Sequence, residues 1–393
     1  VGAASDWIVT NSEQRLPAGA ELTFLAHRIA RVGGMERAAA EVANRLAAVT
    51  PVHLVAMLAE ADRPGVRISR IDVPFRSSVL RCLSFRLRAR KVMAEAADSG
   101  PRISIGAAFW PVDVMVMQFC HRAFGHLAGP VRVGWHQRLA NLYFRWEERA
   151  AFSCRRLQGV IAVSSGVAAE VERYHRYPAS QIRVVPNGVD PTVFCPAAAE
   201  EQRSLREPLG ISGSELVAVF AGGDWSRKGL SHALKAVREV PGTLLVVVGN
   251  GGREEGAFRQ MARTLGIAER VRFVGQTSHP ETFLRMADVL VFPTHYEAFS
   301  LVSIEAAACG LPVIMPSVNG AAELVRDGEN GFLCERSGEE IAKRLRLLDG
   351  DRALLSRMGA AAHETSRQFH WDRVAVQFQA ALSELTGWSP TEG

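Results

Sequence analysis

Two glutamates eight residues apart, Glu297 and Glu305, sit where their chemistry can be used together. Ahead of them, Ala287-Asp288-Val289-Leu290-Val291-Phe292-Pro293-Thr294 is an apolar run that reads as a buried strand entering a loop. Behind them, Ala306-Ala307-Ala308 leads to Cys309-Gly310-Leu311-Pro312, a helix stopped by Gly with Pro just beyond. Glu297 therefore falls in a strand-to-helix loop and Glu305 inside the helix. Eight residues at helical rise span about 12 Å, and a turn of roughly 80° leaves the two carboxylates on neighbouring faces. Each carboxylate can accept hydrogen bonds from hydroxyls. Between them, the free N–H groups of Ala298, Phe299, Ser300 and Leu301 at the helix N-terminus can receive a phosphate. That span is close to the distance from sugar ring to ribose in a nucleotide sugar.

Two other constellations offer matching chemistry. Gly33-Gly34-Met35-Glu36-Arg37 follows a strand-like run and opens a helix with Ala38, Val42 and Leu46 on one face. Paired glycines there let the backbone approach a phosphate or a sugar closely. In Phe220-Ala221-Gly222-Gly223-Asp224-Trp225-Ser226-Arg227-Lys228-Gly229, the adjacent Arg227 and Lys228 could hold a leaving diphosphate as its charge develops. Each motif alone reads more readily as an ordinary turn. Their order along the chain gives them weight.

The Glu297–Glu305 segment resembles the E-x7-E signature of the retaining glycosyltransferases of family 4, which have the two-domain GT-B fold. Gly33 and Gly34 stand where that family places its glycine-rich loop. Asn187-Gly188-Val189-Asp190 is similar to the element that leads into its interdomain linker, and Phe369-His370-Trp371-Asp372-Arg373 to the start of the helix that crosses back. The resemblance implies that the loops carrying Asn250 and Gly251, and Val274 and Gln276, line a nucleotide pocket. It also implies that His121, after Gln118-Phe119-Cys120, lies beside the transferred sugar. Many members carry an Arg six residues before the Lys, and here that position is Gly222; the loop looks closer to the form of lipopolysaccharide core glucosyltransferases.

The elements needed to position these residues are visible as alternation. Strand-like runs at 21–26, 52–57, 112–117, 159–163 and 182–185 recur between helical stretches, and a second series follows at 216–220, 244–248, 271–274 and 289–292. The fold class expected is α/β: two doubly wound Rossmann-like domains facing a central cleft. The division expected is 1–188 (with 1–19 a loose tail), 189–368, and 369–393 as a helix returning to the first domain.

Composition narrows the function classes. With 393 residues, 48% hydrophobic and 22% charged, the chain suits a soluble enzyme of two or three domains. No apolar run approaches the roughly eighteen residues of a spanning helix, and the opening residues lack a basic-then-apolar leader pattern. The six cysteines show no C-x-x-C spacing, so reduced thiols in the cytoplasm are expected. Residues 1–190 carry 25 Lys/Arg against 16 Asp/Glu, whereas the remainder carries 21 against 25. That asymmetry suggests an anionic partner on the N-terminal side, and nothing suggests nucleic acid. Arg76–Lys91 holds six basic residues and no acid, with Val79, Leu80, Leu83 and Leu87 at helical spacing. It reads either as a peripheral membrane contact or as a helix packed on its own sheet.

Two signals are set aside. Asp349-Gly350-Asp351 has metal–nucleotide spacing but falls between two amphipathic helical stretches, so an interhelical turn is expected. No strand is followed by G-x-G-x-x-G with an acid about twenty residues on, which removes a dinucleotide dehydrogenase. The expectation is metal-independent transfer of a sugar from a nucleoside diphosphate sugar to an acceptor hydroxyl, with no cofactor. Glu297 would orient the sugar and Glu305 would bind the ribose. A cell-envelope polysaccharide or lipid-linked acceptor comes first and a small secondary metabolite second. A nucleotide-sugar epimerase and a non-catalytic sugar-nucleotide-binding subunit are the rivals.

Overall fold

The computed structural model describes residues 20–31, 33–75, 77–95, 100–127, 135–211 and 213–390. The expected tail 1–19 lies outside them, as do Val32 and Arg76. Two parallel sheets dominate the described residues. The first runs in the order Arg67–Arg70, Val52–Ala56, Leu22–Leu25, Arg102–Ile105, Val114–Met117, Gly159–Ala162, Ile182–Val184. The second runs Val271–Gly275, Thr243–Val248, Leu216–Ala221, Val289–Val291, Val313–Met315, Gly331–Leu333. Central strands such as Leu22–Leu25 and Leu216–Ala221 are buried at every residue, because helices cover both faces of a parallel sheet.

In each sheet the strand order reverses once, beside Leu22–Leu25 in the first and between Leu216–Ala221 and Val289–Val291 in the second. Loops leaving the strand ends at such a reversal diverge and open a crevice. The loops after these three strands carry Gly33-Gly34, Gly222–Lys228 and Glu297–Ser300.

The chain crosses between the sheets twice. Val189 pairs with His370 beside Gly188, where any side chain would collide with the Trp371 ring. The helix Trp371–Thr386 then packs on the helix Gly34–Leu46 and on strands of the first sheet. Phe378 stacks on Phe24, and the Trp388 indole donates to the Ala20 carbonyl at 3.0 Å.

The basic segment folds as the helix Ser78–Glu95, but not with the expected face inward. Its buried residues are Cys82, Phe85, Arg86, Ala89 and Met93, while Leu80 and Leu87 are 48% and 61% exposed. The cause is tertiary. Arg86 lies over the Trp110 ring at 4.1 Å and pairs with Glu147 of the helix Trp135–Phe152 at 3.1 Å, so a charged residue occupies the packed face. Asp349-Gly350-Asp351 lies at the expected junction of two helices, but Asp349 and Gly350 end the helix Gly338–Gly350 and Asp351 alone separates it from the helix Arg352–Ser366, which it caps, while Asp349 pairs with Arg352.

Candidate active site

A cavity of about 580 Å³ lies between the two sheets' loop ends. Gly33, Gly34 and Arg37 form one wall, and Lys228, Gln276, residues 297–302 and Glu305 form the other. Gly33 has φ +86°, a conformation that favours glycine, and it delivers the chain into the helix Gly34–Leu46 at the cavity edge.

The helix Leu301–Ala308 begins at Ser300, whose hydroxyl accepts from Ser303 N–H at 3.2 Å. The N–H groups of Phe299, Ser300 and Leu301 have no protein acceptor among the described residues, so they remain available to an anion. Glu297 presents a buried Oε2 with no hydrogen-bond partner. A buried unpartnered carboxylate oxygen is costly unless a ligand hydroxyl completes it. Glu305 is buried and ion-paired with Arg37 from the opposite wall. Burial raises its pKa, and Arg37 and Lys228 oppose that shift.

Arg227 and Lys228 separate into different tasks. Lys228 lines the cavity, sits 5.0 Å from the Phe292 ring centroid, and has its pKa lowered by burial with Glu297 opposing. Arg227 does not line it. Its guanidinium donates to Asp224 at 2.7 Å and to the Tyr296 carbonyl at 2.9 Å, and it lies 3.9 Å from Glu297. Arg227 therefore braces the loop that carries Glu297. Gly222 explains the small residue in this loop. At φ +125°, a Cβ there would strike the Lys228 ammonium, so glycine leaves the room that Lys228 fills.

The remaining expected residues divide. Gln276 lines the cavity, together with Thr277, Ser278 and Pro280, whereas Asn250, Gly251 and Val274 do not. The Asn250 side chain closes its own turn by accepting from Gly252 N–H at 2.7 Å, and Gly251 lies against the Trp225 ring.

His121 stands in a neighbouring cavity of about 400 Å³ on the first-domain side, which shares Met35 and Gln118 with the first. It opens the helix His121–Leu127, stacks on Phe144 at 5.0 Å, and has its pKa lowered by burial with Glu148 opposing. His27, with its pKa lowered to about 4 by burial and then by Arg81, and Glu36 line the same space. Arg37 and Asn187 of the main cavity were not anticipated. Arg37 was visible only as the residue following Gly-Gly-x-Glu, and Asn187 only as part of a turn.

Among the described residues, Cys120, Glu148 and His175 lie close enough to resemble metal ligands. Glu148 is already engaged there: it accepts from the N–H groups of His121 and Arg122 at 2.6 and 3.2 Å, and His175 lies 3.3 Å away. The cluster is a buried cap for a helix start.

Two facing parallel α/β domains, with chemistry gathered at the strand-order reversals, define a GT-B architecture. The family profile described as Glycosyl transferases group 1 matches residues 201–365, and that described as Glycosyltransferase Family 4 matches residues 32–193. The chain belongs to this family of glycosyltransferases. It is similar to the D-inositol 3-phosphate glycosyltransferase of Mycobacterium tuberculosis, with 33% identity over 233 residues, 56% of this chain and 47% of that protein. The chain thus spans about half the length of the curated relatives it matches. The solved structure of WaaG, a glycosyltransferase involved in lipopolysaccharide biosynthesis, superposes with a TM-score of 0.78 at 21% identity, covering 93% of this chain and 100% of that one. Anabaena HepE in complex with UDP-glucose superposes with a TM-score of 0.74 at 18% identity, covering 93% and 100%.

Proposed function

We propose that the protein is a retaining glycosyltransferase that moves a sugar from a nucleoside diphosphate sugar to an acceptor hydroxyl. The observation that carries this reading is the convergence, around one cavity, of a Glu297 oxygen without a hydrogen bond, the free N–H groups of 299–301 and the buried ammonium of Lys228. A carboxylate suits sugar hydroxyls. Amides at a helix N-terminus with a cation suit a diphosphate. Glu305, steadied by Arg37, is placed for a ribose. The UDP-glucose complex of HepE, a protein of the same fold, fits a donor of this kind.

In this reading the bond from sugar C1 to the donor phosphate oxygen breaks as the acceptor oxygen bonds C1 from the same face. The acceptor proton passes to the departing phosphate oxygen. Lys228 and the helix amides stabilise the charge that develops there, which makes a metal unnecessary. The cavity of His27, Glu36, His121 and Phe144 is where we place the acceptor. Its carboxylates and aromatic rings suit a sugar or cyclitol ring. For the class of acceptor we keep a cell-envelope polysaccharide or lipid-linked glycan first, with a small metabolite second.

The filled space beside Gly222 argues against a degenerate binding subunit, because the loop keeps its cation. Peripheral membrane contact is a further part of this proposal. Its support is the exposed Leu80 and Leu87 beside Arg81 and Arg88, with exposed Leu142 and Trp146 on the neighbouring helix. No helix among the described residues is long and apolar enough to cross a membrane.

The test is turnover of UDP-, GDP-, ADP- and dTDP-sugars, with and without candidate acceptors, read as nucleoside diphosphate release. Acceptor-dependent release supports transfer. Sugar isomerisation without release would identify an epimerase, and binding without either would identify a binding subunit.

A further inference from the structure

The loop that would hold the diphosphate belongs to the second domain, yet the first domain fixes its orientation. Ser164, the N-cap of the helix Ser165–His175 that follows the strand Gly159–Ala162, is buried and donates from its hydroxyl to the Ala298 carbonyl at 2.8 Å. The same oxygen accepts from Val167 N–H at 3.1 Å. A serine hydroxyl has a single proton, so this one is committed to Ala298. The Asn187 side-chain amide, in the crossing between domains, donates to the Phe299 carbonyl at 3.4 Å. In a trans peptide the C=O and N–H point in opposite directions. The Ala298 carbonyl shares its peptide plane with Phe299 N–H, and the Phe299 carbonyl shares its plane with Ser300 N–H. Pinning the two carbonyls therefore fixes the direction of two of the free amides at the cavity.

More bonds hold the same seam shut. The Tyr296 hydroxyl donates to Glu170 at 2.8 Å, and the Asn319 amide donates to the same carboxylate at 2.5 Å. Ser165 donates to Glu323 at 2.6 Å through both its N–H and its hydroxyl.

We propose that Ser164 and Asn187 are positioning residues that orient the Phe299 and Ser300 amides toward the diphosphate, so that this part of the donor site is assembled only when the two domains meet. The inference rests on the function proposed above. It adds that diphosphate affinity is controlled from the opposite domain by side chains that donate to the backbone carbonyls of Ala298 and Phe299.

The experiment compares Ser164→Ala, Ser164→Thr and Asn187→Ala with the wild type. UDP binding is measured by calorimetry and uridine binding by saturation-transfer NMR, with thermal melting as a control; GDP and guanosine replace them if the wild type binds that base. Ser164→Ala and Asn187→Ala should lose about tenfold in UDP affinity while uridine binding stays within about twofold. Ser164→Thr, which keeps the hydroxyl, should restore UDP binding to within about twofold of wild type. Parallel loss of both ligands, or unchanged UDP affinity in folded variants, would overturn the proposal. If the wild type binds no nucleoside diphosphate, the proposed function itself fails, a separate outcome.

Discussion

Replacing Lys228 and Arg227 separately should separate binding from turnover. Lys228 reaches the cavity with its ammonium buried, so Lys228→Met removes a charged donor to the diphosphate while retaining the shape of the stem. Hydrogen bonds to charged groups contribute about 1.5–3 kcal/mol, which is about tenfold to a hundredfold in Kd. Arg227 spends its donors on Asp224 and the Tyr296 carbonyl. Arg227→Met should therefore leave nucleoside diphosphate affinity within about threefold. It should lower kcat at least tenfold, because the loop holding Glu297 loses its brace. Calorimetry with the nucleoside diphosphate and steady-state rates with the donor sugar give both numbers. Equal losses of affinity in the two variants, or unchanged affinity in Lys228→Met, would refute the division.

Other expectations follow from the same geometry. Glu305→Gln should weaken nucleotide binding and lower the melting temperature by about 2–6 °C, since Arg37, 24% exposed, loses its ionic partner; Glu297→Gln should lower the rate with melting within about 1 °C, because its buried oxygen has no hydrogen bond to lose and its cation, Arg227, stands 3.9 Å away. Gly222→Ala should reduce diphosphate affinity at least tenfold by displacing Lys228, read by the same titration. EDTA should leave turnover within about twofold, and loss restored only by Mn²⁺ or Mg²⁺ would contradict the metal-free reading. Burial lowers the pKa of His27 and His53 to about 4 each, so the native state keeps both neutral while the unfolded chain protonates near 6.5. Their contribution is complete above pH 6.5 and shrinks as pH falls toward 4, by up to about 1.4 kcal/mol per pH unit for each. Denaturant melts between pH 6.5 and 5 should show this slope, and His53→Gln should reduce it by about half.

Much of the fold was legible because buried parallel strands are short apolar runs closed by glycine. Leu216–Ala221 and Thr243–Val248 stand out on that signal alone. Arg67–Arg70 and Arg102–Ile105 do not, since three of four residues in the first and two of four in the second are arginine or serine in place of the apolar run. Val313–Met315 and Gly331–Leu333 are too short to show a period. In the site, Glu297 and Glu305 could be placed relative to one another because one local segment, a loop running into the helix Leu301–Ala308, holds both. Arg227, Asn250 and Arg86 could not be placed from sequence. Their orientations depend on partners elsewhere: the Tyr296 carbonyl for Arg227, a self-closing turn for Asn250, and Glu147 with Trp110 for Arg86. The pairing of Arg37 with Glu305, 268 residues apart, joins the two domains and has no local signature.

The most direct test of the account is a thermal-shift panel of UDP, GDP, ADP and dTDP and their glucose conjugates against the wild type and Glu305→Gln. The account predicts that one base raises the melting temperature of the wild type at submillimolar concentration, and that this rise is lost or strongly reduced in Glu305→Gln. No shift with any nucleotide at millimolar concentration, or an equal shift in both proteins, would contradict the claim that this cleft holds a nucleoside diphosphate sugar.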